Sequence, residues 1–306
     1  MGSMNGNRLN GFLRLSRPFF LMIGALAYAL GAGIAKYLGH SINWDVYFMG
    51  QVWITSVQLS AQYLDEYLNV SVKQHPPLRT RTPSHDAYSE KYGLSKTVLM
   101  YLSIVMLTLT TTVTASILRS GMVEGTSLMV MLIVLAGTFC YSLPPLNLSE
   151  KGYGELLLAV LVANMIPAFA FLLQTGELHR LVFMSTFPLT FSFLAMMIVY
   201  EFRDYAVDMK KGRSTLLIRL GWQKSIVVHN ILVLTAFLVL GLATLAGLSL
   251  SISFPGMLIF PLGLFQIWYL AKIADGIKPQ WNVFIVYTIA MFALFIYLLA
   301  FAFWTH

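Results

Sequence analysis

Apolar residues run along this chain in long uninterrupted blocks separated by short polar loops. Charge-free stretches long enough to cross a bilayer occupy 18–35, 46–64, 97–118, 125–149, 156–175, 181–200, 225–271 and 279–306. The block 225–271 is too long for one helix, and AGLSLSISFPG at 246–256 supplies a break, so it counts as two. The pattern predicts nine transmembrane helices with the chain ends on opposite sides. An all-α fold follows, because a helix satisfies its own backbone polar groups where no water can. The expected architecture is a single intramembrane domain over 1–306, its helices arranged around a central cavity.

Composition agrees with a polytopic membrane protein and excludes a soluble one: 58% of residues are hydrophobic and 11% charged, with mean hydropathy +0.72. Alternating the nine spans across the bilayer places seventeen Lys and Arg residues on one side and leaves Lys36, Arg119 and Arg180 on the other. That bias predicts that the basic side is cytoplasmic, and the lack of a transit-like extension leads to the expectation of a plasma (inner) membrane. It also accounts for the net charge of +7 without nucleic acid as a partner. Arg14 and Arg17 precede a first span with no small-residue cleavage site, so that span reads as a true helix. The single cysteine, Cys140, excludes an intrachain disulfide and a multi-cysteine metal site.

Two acidic clusters interrupt this apolar background. YEFRDYAVDMKKGRSTL at 200–216 sets Asp204 and Asp208 one helical turn apart, with Arg203, Lys210, Lys211 and Arg213 around them. Like charges at that spacing repel by roughly 0.2–0.5 kcal/mol on an exposed helix, so a cationic ligand is the simplest reason to keep both. QYLDEYLNVSVKQHPPLRTRTP at 62–83 has a similar layout, with Asp65, Asn69 and then a basic loop containing Lys73 and Arg81. The match points to a diverged internal duplication, with pseudo-repeats at about 15–150 and 151–275 and a final helix at 281–303. Matched sites in two halves of a membrane protein commonly face one central cavity, here one open to the cytoplasmic side. A charged residue at one helix end is ordinary. Two matched clusters on the same side favour a ligand. Magnesium takes one or two carboxylates plus phosphate oxygens and water, and the nearby Lys and Arg suit the rest of a diphosphate.

Four segments carry a family resemblance: LSRPFF at 15–20, AQYLDEYLN with RTRTP at 61–69 and 79–83, YSLPPLNLSEKGYGEL at 141–156, and EFRDYAVDMKKGRSTLLIRLG at 201–221. In order and spacing they resemble the intramembrane aromatic prenyltransferases of the UbiA superfamily. The resemblance implies Mg²⁺-dependent transfer of an isoprenyl group from a prenyl diphosphate to an aromatic acceptor such as 1,4-dihydroxy-2-naphthoate or a related quinone precursor. It implies that Asp204 and Asp208 hold one Mg²⁺ and that Asp65 and Asn69 help to hold another. Arg17, Lys73, Arg81, Lys151, Lys211 and Arg213 are then the phosphate contacts. Tyr141 is the motif tyrosine, and Tyr63, Tyr67 and Tyr200 are further rings able to face a carbocation or simply to pack at the interface. The first motif departs from the family pattern, with Ala61 and Asn69 where an amide and a carboxylate are usual. Either a weaker first metal site results, or Lys73 supplies charge directly. Other readings are a homologue that takes another acceptor or binds a lipid diphosphate without turnover, and a secondary transporter. Transport is disfavoured because the ionisable groups lie at one face rather than at mid-membrane. His229 reads as a packed polar residue, and Pro167 and Pro188 as kinks.

Overall fold

A computed structural model describes residues 15–71, 96–121, 123–143, 145–210 and 214–306. Its long helices are α1 (Pro18–Tyr37), α2 (Trp44–Ser71), α3 (Lys96–Arg119), α4 (Gly125–Ser142), α5 (Gly154–Thr175) and α6 (Arg180–Phe202). Two short helices follow, α7 (Tyr205–Lys210) and α8 (Leu216–Leu220), then α9 (Trp222–Leu245), α10 (Leu250–Ala274) and α11 (Trp281–Thr305). Among the described residues, eight helices are long and apolar enough to cross a membrane. The ninth long helix is α2. Its 28 residues include Asp45, Gln51, Gln58, Gln62, Asp65 and Glu66, which lower its hydropathy although its length suffices. The protein is a multi-pass integral membrane protein.

The helices divide into an inner and an outer set. In α1, α5, α6 and α11, 56–72% of the most apolar window is buried by protein, against 17% in α3 and 22% in α4. Small residues make the inner packing possible. A Cβ on Gly31 would lie 2.0 Å from the Pro167 carbonyl oxygen, so α1 and α5 approach to backbone contact only because that side chain is absent. Pro167 lacks an N–H for the carbonyl four residues earlier, and α5 passes through a π-helical segment, Leu161–Met165, just before it. Asn164 in that segment is buried, donates to the Thr190 hydroxyl at 2.5 Å and accepts from Thr186 at 2.8 Å, which ties the irregular backbone to α6.

Two boundaries differ from the sequence-based expectation. The α4 helix ends at Ser142 rather than 149, because Pro144 and Pro145 follow and a residue before proline avoids helical geometry. The break expected at 246–256 is confined to the turn between Leu245 and Leu250, and the serine-rich stretch after it is helical. Serine hydroxyls turn back onto the helix there, as when Ser253 donates to the Ser249 carbonyl at 3.3 Å. The helix continues through Pro255 and is interrupted at Leu258–Ile259, between the two halves of α10, where Pro261 at the start of the second half has no N–H for the Met257 carbonyl.

Side-chain contacts fix two faces. On one, Ser16 bonds Tyr63 at 2.8 Å, Phe20 meets Tyr200 at 6.4 Å between ring centroids, and Trp281 stacks on Phe202 at 5.9 Å. On the other, Lys36 donates to the Trp304 carbonyl at 2.6 Å and the Asn43 amide donates to the Gln174 side chain at 2.9 Å. Both acidic motifs lie on the first face.

Candidate active site

The second acidic motif is built by a break in the chain. Helix α6 stops at Phe202, the backbone turns at Arg203 and Asp204, and α7 begins at Tyr205. The Asp208 amide donates to the Asp204 carbonyl at 2.9 Å, so the two carboxylates stand one turn apart, as the spacing predicts. Asp208 is 3% exposed. A carboxylate that deep at a membrane face is costly unless it is paired or liganded. Arg203 forks onto Asp204 with two bonds of 3.1 Å, which raises the pKa of the guanidinium by hydrogen bonding and charge. The same guanidinium lies 5.2 Å from the Tyr200 ring centre.

Glu201 holds the turn closed from below. It is 2% exposed and accepts the Leu217 amide at 3.1 Å, one of the donors that α8 leaves without an intrahelical partner. The Thr215 hydroxyl caps the same helix by accepting from Ile218 at 3.4 Å. The Thr-Leu tail of the motif is therefore a helix start clamped to the end of α6.

The Tyr141–Leu156 loop packs against this tail. A Cβ on Gly152 (φ +72°) would lie 2.4 Å from the Ser214 carbonyl oxygen and 2.7 Å from the Arg219 side chain, so both the positive φ and the close approach require glycine. A Cβ on Gly154 would meet the Tyr141 ring at 2.9 Å. Arg219 covers the Tyr153 ring at 4.4 Å. Lys151 is exposed and donates to the Pro145 carbonyl at 3.2 Å. Tyr141, Lys151 and the tail after Asp208 thus meet in one place, joined by contacts that skip about sixty residues of sequence.

Asp65 comes from a different helix, α2. It is half-buried near the end of α2, beside Tyr63, which is buried against Leu15 and Leu99. Lys96 lies 5.2 Å from the Tyr67 ring centre, so the first-motif rings have contacts of their own. The segment 15–20 links the motifs, with Ser16 touching Tyr63 and Phe20 touching Tyr200. Arg17 lies between those two contacts in a left-handed conformation (φ +44°) at the start of α1. Among the described residues, no three His, Cys, Asp or Glu side chains converge on one ion position. Asp204 and Asp208 nevertheless match the one or two carboxylates that Mg²⁺ takes when phosphate oxygens complete its shell. Asn69 lies within α2 with its side chain outside the described residues; Lys73, Arg81, Lys211 and Arg213 lie outside them altogether.

Two buried acids escape a reading based on paired spacing. Glu201 is the clamp just described. Glu155, in the first turn of α5, is 2% exposed, and its Oε2 has no hydrogen-bond partner among the described residues. Both lie inside the quoted motif segments, Glu155 in YSLPPLNLSEKGYGEL and Glu201 at the start of EFRDYAVD, each bordering a span where burying a charge is expensive.

Residues 25–289 match the model of the UbiA prenyltransferase family. The fold resembles a UbiA homologue from Archaeoglobus fulgidus bound to GPP and Mg²⁺ (TM-score 0.69, 18% identity, covering 97% of this chain and 100% of that one). It also resembles digeranylgeranylglyceryl phosphate synthase (TM-score 0.66, 14% identity, 98% and 99%). A third similar structure is an apo UbiA homologue from Aeropyrum pernix K1 (TM-score 0.66, 13% identity, 90% and 94%). No curated protein sequence matches.

Proposed function

Because the chain belongs to the UbiA prenyltransferase family and is by that membership a prenyltransferase, we propose that it transfers an isoprenyl group from a prenyl diphosphate to an aromatic acceptor. The proposed acceptor is 1,4-dihydroxy-2-naphthoate or a related quinone precursor. The observation that carries this reading is the buried Asp208 one turn from Asp204, on a turn clamped by Glu201 and packed beside the Tyr141–Lys151 loop. In our reading Mg²⁺, when bound, offsets the diphosphate charge and so eases departure of the leaving group. Asp204 and Asp208 would hold one such ion, and Asp65 and Asn69 of α2 would help to hold another. The Archaeoglobus homologue was solved with Mg²⁺ and with either GPP or DMAPP, which supports both ligands here.

Lys151 has one bond to release, to Pro145, before its ammonium turns to a phosphate oxygen. Arg17, Lys73, Arg81, Lys211 and Arg213 are proposed as further phosphate contacts. Tyr141 packs at the motif loop and presents its ring to the developing cation. The Lys and Arg bias supports a cytoplasmic orientation for this face. Ala61 and Asn69 favour a second reading, a homologue that binds a prenyl diphosphate without turnover.

The test incubates purified protein with a short allylic diphosphate, Mg²⁺ and a panel of acceptors, scored by mass spectrometry against an EDTA control. A Mg²⁺-dependent prenylated aromatic product supports the proposal. Product on a non-aromatic acceptor overturns the aromatic part, and Mg²⁺-dependent binding without any product favours the second reading.

A further inference from the structure

On the face opposite the acidic motifs, α6 and α9 border an open apolar groove of about 380 Å³, within the range of small-molecule sites. Phe183, Met184 and Phe187 of α6 face Leu242 and Ala243 of α9, and Arg180 stands at one end. Phe187 is 49% exposed and Leu242 54% exposed, so the groove opens outward to lipid rather than inward to the helix core.

The position of Arg180 is the unusual part. Three basic residues occupy this face. Lys36 sits in the last turn of α1 and Arg119 in the last turn of α3, where the helix dipole favours a cation. Arg180 is instead the first residue of α6, where the dipole disfavours a cation, and no acid occupies that turn. Glu124 lies against Gly176 and Glu177 is exposed, yet neither pairs with Arg180. Arg180 is exposed at the end of the groove, and among the described residues its guanidinium has no hydrogen bond and no ion pair. The charge bias across the membrane does not call for a cation here either, since this is the side poor in Lys and Arg. An anion at the groove mouth gives the guanidinium a partner, and the groove below it suits a hydrocarbon chain.

We propose that this groove binds a phospholipid of the surrounding leaflet, with its phosphate on Arg180 and one acyl chain between α6 and α9. Arginine suits the role because its planar fork binds phosphate oxygens in pairs. The site lies at the other face from Asp204 and Asp208, so it is independent of the transfer reaction.

The test uses the full chain, delipidated in a mild detergent, and follows its melting temperature as ligand is added. Phosphatidylglycerol should raise it in a saturable way, diacylglycerol with the same chains should raise it less, and glycerol phosphate should leave it unchanged. Arg180→Gln should weaken the phosphatidylglycerol response roughly fivefold, the loss expected for one basic residue at a lipid headgroup. Phe187→Ala, on the exposed wall, should weaken both lipid responses. An unchanged response in Arg180→Gln would show that the side chain only reaches for water and would overturn the proposal. A glycerol phosphate response equal to that of the lipid would overturn it in favour of a free phosphate site.

Discussion

At the end of α6 the chain breaks, turns and starts again, and the turn is locked by Glu201 on Leu217 and by Arg203 on Asp204. At the end of α2 the helix runs straight through Asp65 to Ser71, and Asp65 is only half-buried. The second motif therefore presents Asp208 from a buried position on a clamped turn, whereas the first presents Asp65 half-buried on a continuous helix. Binding energy that need not be used on ordering a site is available for the ligand. On the proposed function, this difference makes the second motif the stronger anchor for a metal–diphosphate pair, with Ala61 and Asn69 in the weaker one.

The largest effect should come from the second motif. Asp204→Asn and Asp208→Asn should each lower the transfer rate roughly 10²–10³-fold, the range seen when one preorganised electrostatic contact is removed, with the melting temperature checking that the protein stays folded. Asp65→Asn should cost only about tenfold, the low end for groups around a metal site, because on the proposal it serves the second, less firmly held ion. Equal losses at the two motifs would break the comparison. Glu201→Ala should lower stability by about 1–3 kcal/mol, because it leaves the buried Leu217 amide unpaired, and thermal unfolding measures it. Arg203→Ala should cost about 0.2–1 kcal/mol, since the pair is partly exposed to solvent. Asn69→Asp should change least, lowering the Mg²⁺ concentration for half-maximal rate without raising the maximal rate. A Mg²⁺ titration of that variant with no such shift would remove Asn69 from the metal shell.

Most of the membrane architecture was legible because hydrocarbon imposes a simple rule, long apolar helices with loops between them. The α2 helix shows where hydropathy weakens as a guide, since Gln58, Gln62 and Asp65 face protein contacts or the site and reduce the signal from an otherwise long helix. The π segment before Pro167 was half legible: the proline announced an irregularity but not the extra residue in the turn. At the site, the i, i+4 spacing of Asp204 and Asp208 was readable from sequence. The meeting of Gly152 with Ser214 and Arg219 was not, because it depends on how separate helices pack. Glu155 and Glu201 were hidden for a related reason. Both stand inside the quoted motif segments, but only burial distinguishes them from surface charges.

The most direct measurement is binding of a short prenyl diphosphate to the purified protein with and without Mg²⁺, comparing the unmodified chain with Asp208→Asn and Asp65→Asn. We expect Mg²⁺-dependent binding that Asp208→Asn abolishes and Asp65→Asn only weakens. Binding that ignores Mg²⁺, or that survives Asp208→Asn while failing in Asp65→Asn, would contradict the assignment of the locked turn after α6 as the principal anchor.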